Sequence, residues 1–287
     1  MQEMAAQLGG RFAIIKVMPY SFSEYLDVQD IPHAGSAHYA TDSLGRIQRA
    51  AGTHLHAGGF PEIAGLMNSR DRRESIYRKI LEHDTILPHQ IRKPDLLRSL
   101  LKMLAERTSG ETSATALTRT MGILSSRKLS PDMAASYLRA AEDAHLIFRM
   151  QSYAALSAES APRWYFGDNG ILGLFLYNKD SLLLENAVAL ALLRRYGKDH
   201  IFYFKSSKTG IDIDFYIPEA SWAIQVCYML DGSSFERKTK SLAELAQDAH
   251  LAPERSAIVT FADSERTISS GGTEIEVLPL WKFLLQG

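Results

Sequence analysis

Apolar residues recur at helical spacing in the middle of the chain. Between residues 95 and 107 the leucines fall three and four positions apart, which predicts an amphipathic helix. Residues 113–121 and 131–145 predict two further helices, the second with Ser130 as its cap and Pro131 at its first position. Two apolar runs at 146–153 and 163–166 predict a β-hairpin. Three helices followed by a hairpin is the order of a winged helix, which we assign to residues 88–168.

The last third of the chain alternates helical and extended patterns. A long helical pattern covers residues 182–196, and residues 201–205, 211–217 and 222–228 predict three consecutive strands. A helix at 233–247 and strands at 256–260 and 274–279 follow. Helix, three strands, helix and strand make a compact α/β unit with its own core, which we assign to residues 169–287.

The first 87 residues have a pattern typical of the middle of an α/β domain. Residues 1–8 predict the end of a helix, and residues 12–17 predict a short buried strand. Ser21 and Glu24 form a capping-box pattern before a helix at 22–28. The polar stretch 33–46 predicts a loop, and Gly58-Gly59 predicts a sharp turn. The expected fold class is therefore multidomain, α/β and α+β, with an N-terminal domain that lacks its beginning.

Composition excludes several classes of protein. The 287 residues are 46% hydrophobic and 23% charged, with a net charge of −1, which is ordinary for a globular protein. The single cysteine cannot form an internal disulfide, which fits a reducing compartment. No apolar run reaches the ~18 residues of a membrane helix. We expect a cytoplasmic protein with no membrane partner.

Seven short segments, in order along nearly the whole chain, resemble one family. The first three are LGGRF (8–12), PYSFSEYL (19–26) and GGFPE (58–62), and they are similar to the downstream half of an AAA-type domain. The other four are YFGDNG (165–170), LEN (184–186), IDIDF (211–215) and IQV (224–226). Together they resemble archaeal and bacterial ATP-binding proteins that carry an uncharacterised C-terminal domain.

The resemblance implies a nucleotide site that this sequence does not contain. Members of the family begin with a P-loop and use ATP and Mg²⁺, whereas no G-x-x-x-x-G-K-[ST] motif occurs here. The one Gly-Lys pair, Gly197-Lys198, follows a predicted helix and has no glycine five residues earlier. We therefore expect no ATP hydrolysis and no cofactor for this chain. Arg11 occupies the position of a family arginine that the resemblance implies contacts a nucleotide phosphate; the alternative is a surface arginine beside a turn.

The predicted winged helix carries an excess of positive charge. Residues 88–150 contain ten Lys and Arg against six Asp and Glu, an excess of four. Such an excess is needed to neutralise DNA phosphates. Arg127, Lys128 and Arg139 flank or lie on the third helix, so duplex DNA is a candidate partner. The alternative is a rigid spacer or a contact with other copies of the chain or with another protein.

The C-terminal unit resembles the core of PD-(D/E)XK nucleases. That core has a glutamate on a helix, an aspartate on a strand and an E-x-K strand, and the matching residues here are Glu185, Asp214, Gln225 and Cys227. The nuclease uses carboxylates to hold Mg²⁺ and a lysine to position water. Gln225 and Cys227 supply neither a carboxylate nor an ammonium, so we expect a degenerate, non-cleaving unit. Lys205 or Lys208, one strand earlier, is the candidate substitute for the missing lysine. The alternative to a degenerate unit is an active metal-dependent nuclease.

Other candidate chemistry is weak. His54 and His56 lack a third ligand nearby in the sequence, so we expect no metal site there. Cys227, on an apolar strand, is expected to be a small buried residue.

Overall fold

A computed structural model describes residues 16–33, 41–66, 69–124, 129–153 and 160–286. They form a mixed α/β structure in which helices pack around one large mixed β-sheet. The predicted helix 1–8 lies outside these residues. So does the predicted strand 12–17, except for Lys16 and Val17, which are outside any strand; Val17 is 90% exposed.

The first two helices form a small layer of their own. Helix α1 (Phe22–Val28) has the predicted capping box, with Ser21 N–H donating to the Glu24 carboxylate and Glu24 N–H donating to Ser21 Oγ. Helix α2 (Thr41–Ala57) begins within the stretch predicted as a loop, so that prediction was wrong from residue 41 onward. Its buried residues Ile47, Ala50 and Ala51 recur at helical spacing and pack on α1. Their apolar stripe is narrow and lies among polar residues, so the sequence pattern did not indicate a helix.

The helical unit in the middle of the chain follows the predicted pattern closely. Helix α3 (Arg70–Lys79) continues into a π-helix (Ile80–Ile86), and α4 (Pro94–Ala105), α5 (Ala114–Leu124) and α6 (Pro131–Asp143) come next. The leucines of α4 are buried, as their spacing predicts. Ser130 caps α6 by accepting a hydrogen bond from Met133 N–H.

A single sheet of eight strands spans the rest of the described chain. The strands are β1 (Ile147–Ser152), β2 (Arg163–Phe166), β3 (Phe202–Lys205), β4 (Asp212–Ile217), β5 (Trp222–Cys227), β6 (Arg255–Thr260), β7 (Arg266–Ser270) and β8 (Thr273–Pro279). Their order is β2-β1-β3-β4-β5-β6-β8-β7. Pairs β3–β4 and β4–β5 are antiparallel, whereas β5–β6 and β6–β8 are parallel. Strand β7 is largely exposed and was not predicted from the sequence.

Four helices pack against or beside this sheet: α7 (Asn169–Phe175), α8 (Asp180–Tyr196), α9 (Gly232–Ala246) and α10 (Leu280–Leu285). Helix α7 was not predicted either. Within the described ranges, no helix is long and apolar enough to cross a membrane.

The hairpin of the helical unit and the α/β unit share this sheet. Strand β1 pairs in parallel with β3, with Gln151 opposite Phe202 and Ser152 opposite Tyr203. One apolar core runs from Leu55 to Phe283 and contains residues from both units. Backbone pairing therefore continues across the predicted boundary at residue 168.

Candidate functional site

A cluster of charged side chains lies where β2, β4, α8 and α9 meet. We call Arg163, Glu185, Asp212, Asp214 and Lys238 the ionic cluster. Asp214 is at its centre and only 7% exposed. Its Oδ2 accepts hydrogen bonds from Val226 N–H at 2.7 Å and from Lys238 Nζ at 2.6 Å.

Lys238 links Asp214 to Gln225. The ammonium donates to Gln225 Oε1 at 2.7 Å as well as to Asp214, and the lysine side chain is 12% exposed. Gln225 in turn donates from Nε2 to the Asp212 carbonyl oxygen at 2.5 Å. Gln225 is therefore held on both ends of its amide and adjoins the ionic cluster through Lys238.

Arg163 supplies the second positive charge. Its guanidinium is 2.6 Å from Asp212 Oδ1 and 3.7 Å from Asp214 Oδ1, and it lies over the Tyr203 ring. Burial acts to lower the pKa of Arg163, but Tyr165 and then the nearby carboxylates outweigh it and raise that pKa overall. Arg163 therefore stays charged and neutralises the carboxylates beside it.

Glu185 joins the cluster from α8. Its Oε1 accepts a hydrogen bond of 3.1 Å from the Tyr165 hydroxyl. Burial, and then the negative charge of Asp214, raise the pKa of Glu185 to about 7. Near neutral pH the glutamate is thus partly protonated, which lowers the negative charge of the cluster.

The arrangement does not fit a Mg²⁺ ion. Magnesium takes oxygen ligands in octahedral geometry and needs carboxylate oxygens open to it. Here Lys238 and Val226 N–H occupy one oxygen of Asp214, Arg163 lies beside the other, and Gln225 Oε1 accepts from Lys238. Among the described residues no group of three or more His, Cys, Asp or Glu side chains has metal-binding geometry. The carboxylates are neutralised by protein cations.

Two predictions about this region were wrong. Lys205 does not enter the cluster, because it pairs with Glu111 at 3.3 Å, and Lys208 is exposed in the turn after β3. Cys227 is half-buried rather than buried, and its thiol donates to the Met229 carbonyl oxygen at 2.8 Å. Cys227 is the last residue of β5 and, two residues after Gln225, is on the same face of the sheet as Gln225.

Arg163, Asp212 and Lys238 are the cluster residues that the sequence analysis did not single out. Lys238 lies on the same face of α9 as the buried Leu242 and Leu245, which follow it by four and seven residues, or about one and two turns. A lysine at a core-facing position of an amphipathic helix was therefore the available signal.

A second polar network ties the N-terminal layer to the α/β unit. We call Gly59, Asp168, Asn169 and Asn186 the junction network. The Asp168 carboxylate accepts from Gly59 N–H at 2.8 Å, and Asn169 Nδ2 donates to the Leu55 carbonyl oxygen at 2.9 Å. Asn186 Nδ2 donates to Asn169 Oδ1 at 2.8 Å. The segments GGFPE, YFGDNG and LEN therefore meet in one place.

The glycines of these segments allow the backbone to approach closely. A Cβ on Gly59 would lie 2.3 Å from the Tyr20 carbonyl oxygen, and one on Gly170 would lie 2.0 Å from the Ala57 carbonyl oxygen. Gly58 also has φ +82°, which favours glycine, and its Cβ would meet the Asp168 carboxylate. These glycines hold the junction together.

The histidines at 54 and 56 do not share a partner. His54 Nε2 lies 3.3 Å from the Tyr20 carbonyl oxygen, whereas His56 Nε2 lies 3.9 Å from Asp180. Two residues apart on α2, they point in different directions.

The candidate DNA-binding residues fall mostly outside the described ranges. Arg127 and Lys128 lie outside them, and so does Arg11, the candidate nucleotide contact. Arg139 is exposed on α6 as expected, and the exposed stripe around it contains Asp132, Ser136 and Asp143. The stripe thus has two acidic residues and one basic residue.

Comparison with known proteins finds relatives without an assigned activity. A family model described as a domain of unknown function (DUF8612) matches residues 48–182, from within α2 to the start of α8. "Uncharacterized protein MJ1544" of Methanocaldococcus jannaschii is 26% identical over 99% of this chain and 66% of that protein. An "Uncharacterized protein" of Haemophilus influenzae is 24% identical over 67% of this chain and 48% of that protein. No solved structure matches.

The chain thus spans less than two thirds of the length of these relatives. The matched family segment includes Arg163 and most of the junction network but ends before Glu185.

Proposed function

We propose that this chain is the C-terminal binding part of an ATPase-family protein, and that its nuclease-like unit does not cleave nucleic acid. One observation carries the proposal. Lys238 and Arg163 occupy or flank the Asp214 oxygens that a catalytic metal would need. A carboxylate that is paired with buried protein cations serves the fold and not a metal ion.

The topology supports the resemblance to a PD-(D/E)XK core. Helix α8, strands β3, β4 and β5, helix α9 and strand β6 follow the predicted order, with two antiparallel pairs and then one parallel pair. Glu185, Asp214 and Gln225 also come from the elements that the resemblance implies. These elements support the proposal that the unit is a nuclease-like fold used for binding.

The junction network supports a role as a rigid connector. Its hydrogen bonds join the segment after residue 16 and the end of α2 to α7 and α8. An ATPase domain attached upstream would thus move together with the α/β unit. We propose that the chain transmits such a movement to a partner and does not hydrolyse ATP itself.

A protein partner, or another copy of the chain, fits the surface of α6 better than DNA does. Asp132 and Asp143 lie on the same exposed stripe as Arg139 and would face the phosphates. A weak, salt-dependent and sequence-independent contact with duplex DNA through Arg127, Lys128 and Arg139 is the competing expectation.

The first experiment tests cleavage. Plasmid, linear and single-stranded DNA are incubated with the chain and Mg²⁺ or Mn²⁺, with Asp214→Asn as the matched variant. We expect no nicking by either protein, because loss of one catalytic group commonly costs about 10²–10⁴-fold. Nicking that requires the metal and disappears in Asp214→Asn at unchanged stability would contradict the proposal.

The second candidate is a metal-dependent nuclease in which Lys238 takes the place of the missing E-x-K lysine. The ammonium reaches both Asp214 and Gln225, so a lysine does stand beside the acidic position, although it comes from α9 and not from β5. In that case Lys238→Met would abolish cleavage while Lys205→Met would leave it unchanged.

Two binding measurements complete the test. Calorimetry with Mg-ATP should show no saturable binding, because the sequence has no P-loop. Duplex DNA affinity is measured at several salt concentrations for the wild type and for the variant with alanine at 127, 128 and 139. If the dependence of DNA affinity on salt concentration is weaker in this variant than in the wild type, DNA is favoured as the partner. If the two proteins bind DNA equally, or if neither binds it, a protein partner is favoured.

A further inference from the structure

A cavity lies at the junction between the N-terminal layer and the α/β unit. It has a volume of about 270 Å³ and opens to solvent. It is just below the roughly 300 Å³ at which pockets for drug-sized ligands begin, which limits an occupant to a small molecule.

Two arginines line this cavity from α8. Arg194 donates to the Pro19 carbonyl oxygen, and Arg195 donates to the Phe283 carbonyl oxygen and lies over the Phe283 ring. Neither takes part in an ion pair with a carboxylate of the described residues. Burial is the largest influence on both guanidiniums and lowers their pKa, whereas Glu24 and Asp168 act on Arg194 from farther away.

The other polar groups of the cavity leave its positive charge in place. Burial lowers the pKa of His54 to about 4, so its imidazole is neutral at pH 7. Asp168 is the one carboxylate among the lining residues, and its oxygens already accept from Gly59 N–H and Ile171 N–H. Two guanidiniums thus face one carboxylate that is held by the backbone.

The rest of the lining is mainly apolar. Its apolar lining residues are Phe22, Ala187, Leu190, Ala191 and Leu284, and Ser21 and Ser23 line it as well. An apolar wall with a few convergent polar groups is typical of small-molecule sites. Arginine is the residue that best matches a carboxylate, because its planar fork donates two parallel hydrogen bonds.

We propose that the junction cavity binds a small organic carboxylate, with the anionic end at Arg194 and Arg195 and an apolar body against α8. The site is separate from the ionic cluster, and its existence does not depend on whether the α/β unit cleaves nucleic acid. Because residues from both layers line it, an occupant would bridge the N-terminal layer and the α/β unit.

The experiment uses benzoate as the probe and neutral benzamide as its matched control. The full chain is labelled at its alanine methyl groups, so that Ala187 and Ala191 report binding at the cavity itself. We expect saturable shifts of these two signals with benzoate and none with benzamide. Arg195→Gln should weaken benzoate binding by about tenfold or more, since a charge-assisted hydrogen bond is lost.

Two further variants keep the test decisive. Ala191→Leu fills the cavity without changing its charge and should abolish binding, with the folded state checked by circular dichroism. Arg237→Gln removes an exposed arginine on α9, away from the cavity, and should leave benzoate affinity unchanged. The proposal is wrong if benzoate gives no saturable shift up to its solubility limit, or if Ala191→Leu binds as tightly as the wild type.

Discussion

Helix α8 carries two consecutive residues that belong to two different polar networks. Glu185 points to the ionic cluster, and Asn186 points to the junction network. The junction network consists mainly of neutral amides and backbone groups brought close together by glycines. The ionic cluster consists of charged groups whose balance depends on Arg163 and Lys238. We expect the stability of the junction network to be sensitive to added side-chain volume, and that of the ionic cluster to be sensitive to the loss of a charge.

The largest effect is expected from Lys238→Met. Loss of the ammonium leaves Asp214 buried with one cation fewer, and breaking a buried ion pair in this way costs about 3–5 kcal/mol. The free energy of unfolding is measured by urea denaturation. Lys240→Met is the matched control, because Lys240 is 70% exposed in its pair with Glu244, and its effect should stay below about 0.5 kcal/mol.

A double variant sharpens this prediction. Asp214→Asn combined with Lys238→Met removes both charges, so it should be less destabilised than the sum of the single variants. Equal losses for Lys238→Met and Lys240→Met would show that the ionic cluster does not depend on charge balance.

An intermediate effect is expected from Gly170→Ala in the junction network. The added Cβ would lie 2.0 Å from the Ala57 carbonyl oxygen, so α2 and α7 must separate, at a cost of roughly 2–3 kcal/mol. Gly122→Ala is the control: that glycine is in α5 with nothing within 4 Å, and alanine should stabilise the helix by about 0.5–1 kcal/mol. Melting temperatures moving in opposite directions would bear this out, and equal shifts would count against a close-packed junction.

A third effect is expected from Glu185→Gln, and it depends on pH. The folded pKa of Glu185 is about 7, above its ordinary value of 4.5, so the folded state binds more protons between these values. The contribution of Glu185 to the free energy of unfolding of the wild type should therefore fall as pH rises from about 4.5 to 7. Above pH 7 the loss should stay constant. Glutamine keeps the acceptor for Tyr165 and removes the charge.

The measurement compares melting temperatures of the wild type and Glu185→Gln from pH 4.5 to 8. We expect the two proteins to be similar at the acidic end, with the variant the more stable at pH 8. Glu236→Gln, at an exposed position on α9, should follow the wild-type curve. A wild-type advantage at pH 8 would mean that ionised Glu185 stabilises the ionic cluster.

Prediction from the sequence worked best where a single element carries its own signal. The leucine spacing of α4, the cap of α6 and the capping box of α1 are local patterns, and the structure confirms all three. The prediction missed the start of helix α2 because the apolar stripe of this helix is short and lies among polar residues. The prediction missed strand β7 because its side chains are largely exposed and have no apolar alternation.

The candidate site was predicted only in part, because some of its contacts join elements that are far apart in the sequence. The sequence order of helix and strands was enough to bring Glu185, Asp214 and Gln225 together. The lysine that completes the group was assigned to the wrong element, since a side chain from α9 can reach β4 and β5 only after the helix packs on the sheet.

The sequence by itself determined the elements with strong local periodicity, and it determined which residue types could not form a P-loop or an E-x-K strand. Only the tertiary structure decided how the charges are paired and how the layers are joined. Hydrogen bonds and ion pairs between residues far apart in the chain, such as Gly59 with Asp168 and Arg163 with Asp212, have no local pattern. Their geometry depends on helix packing and strand register, which burial of the whole core fixes cooperatively.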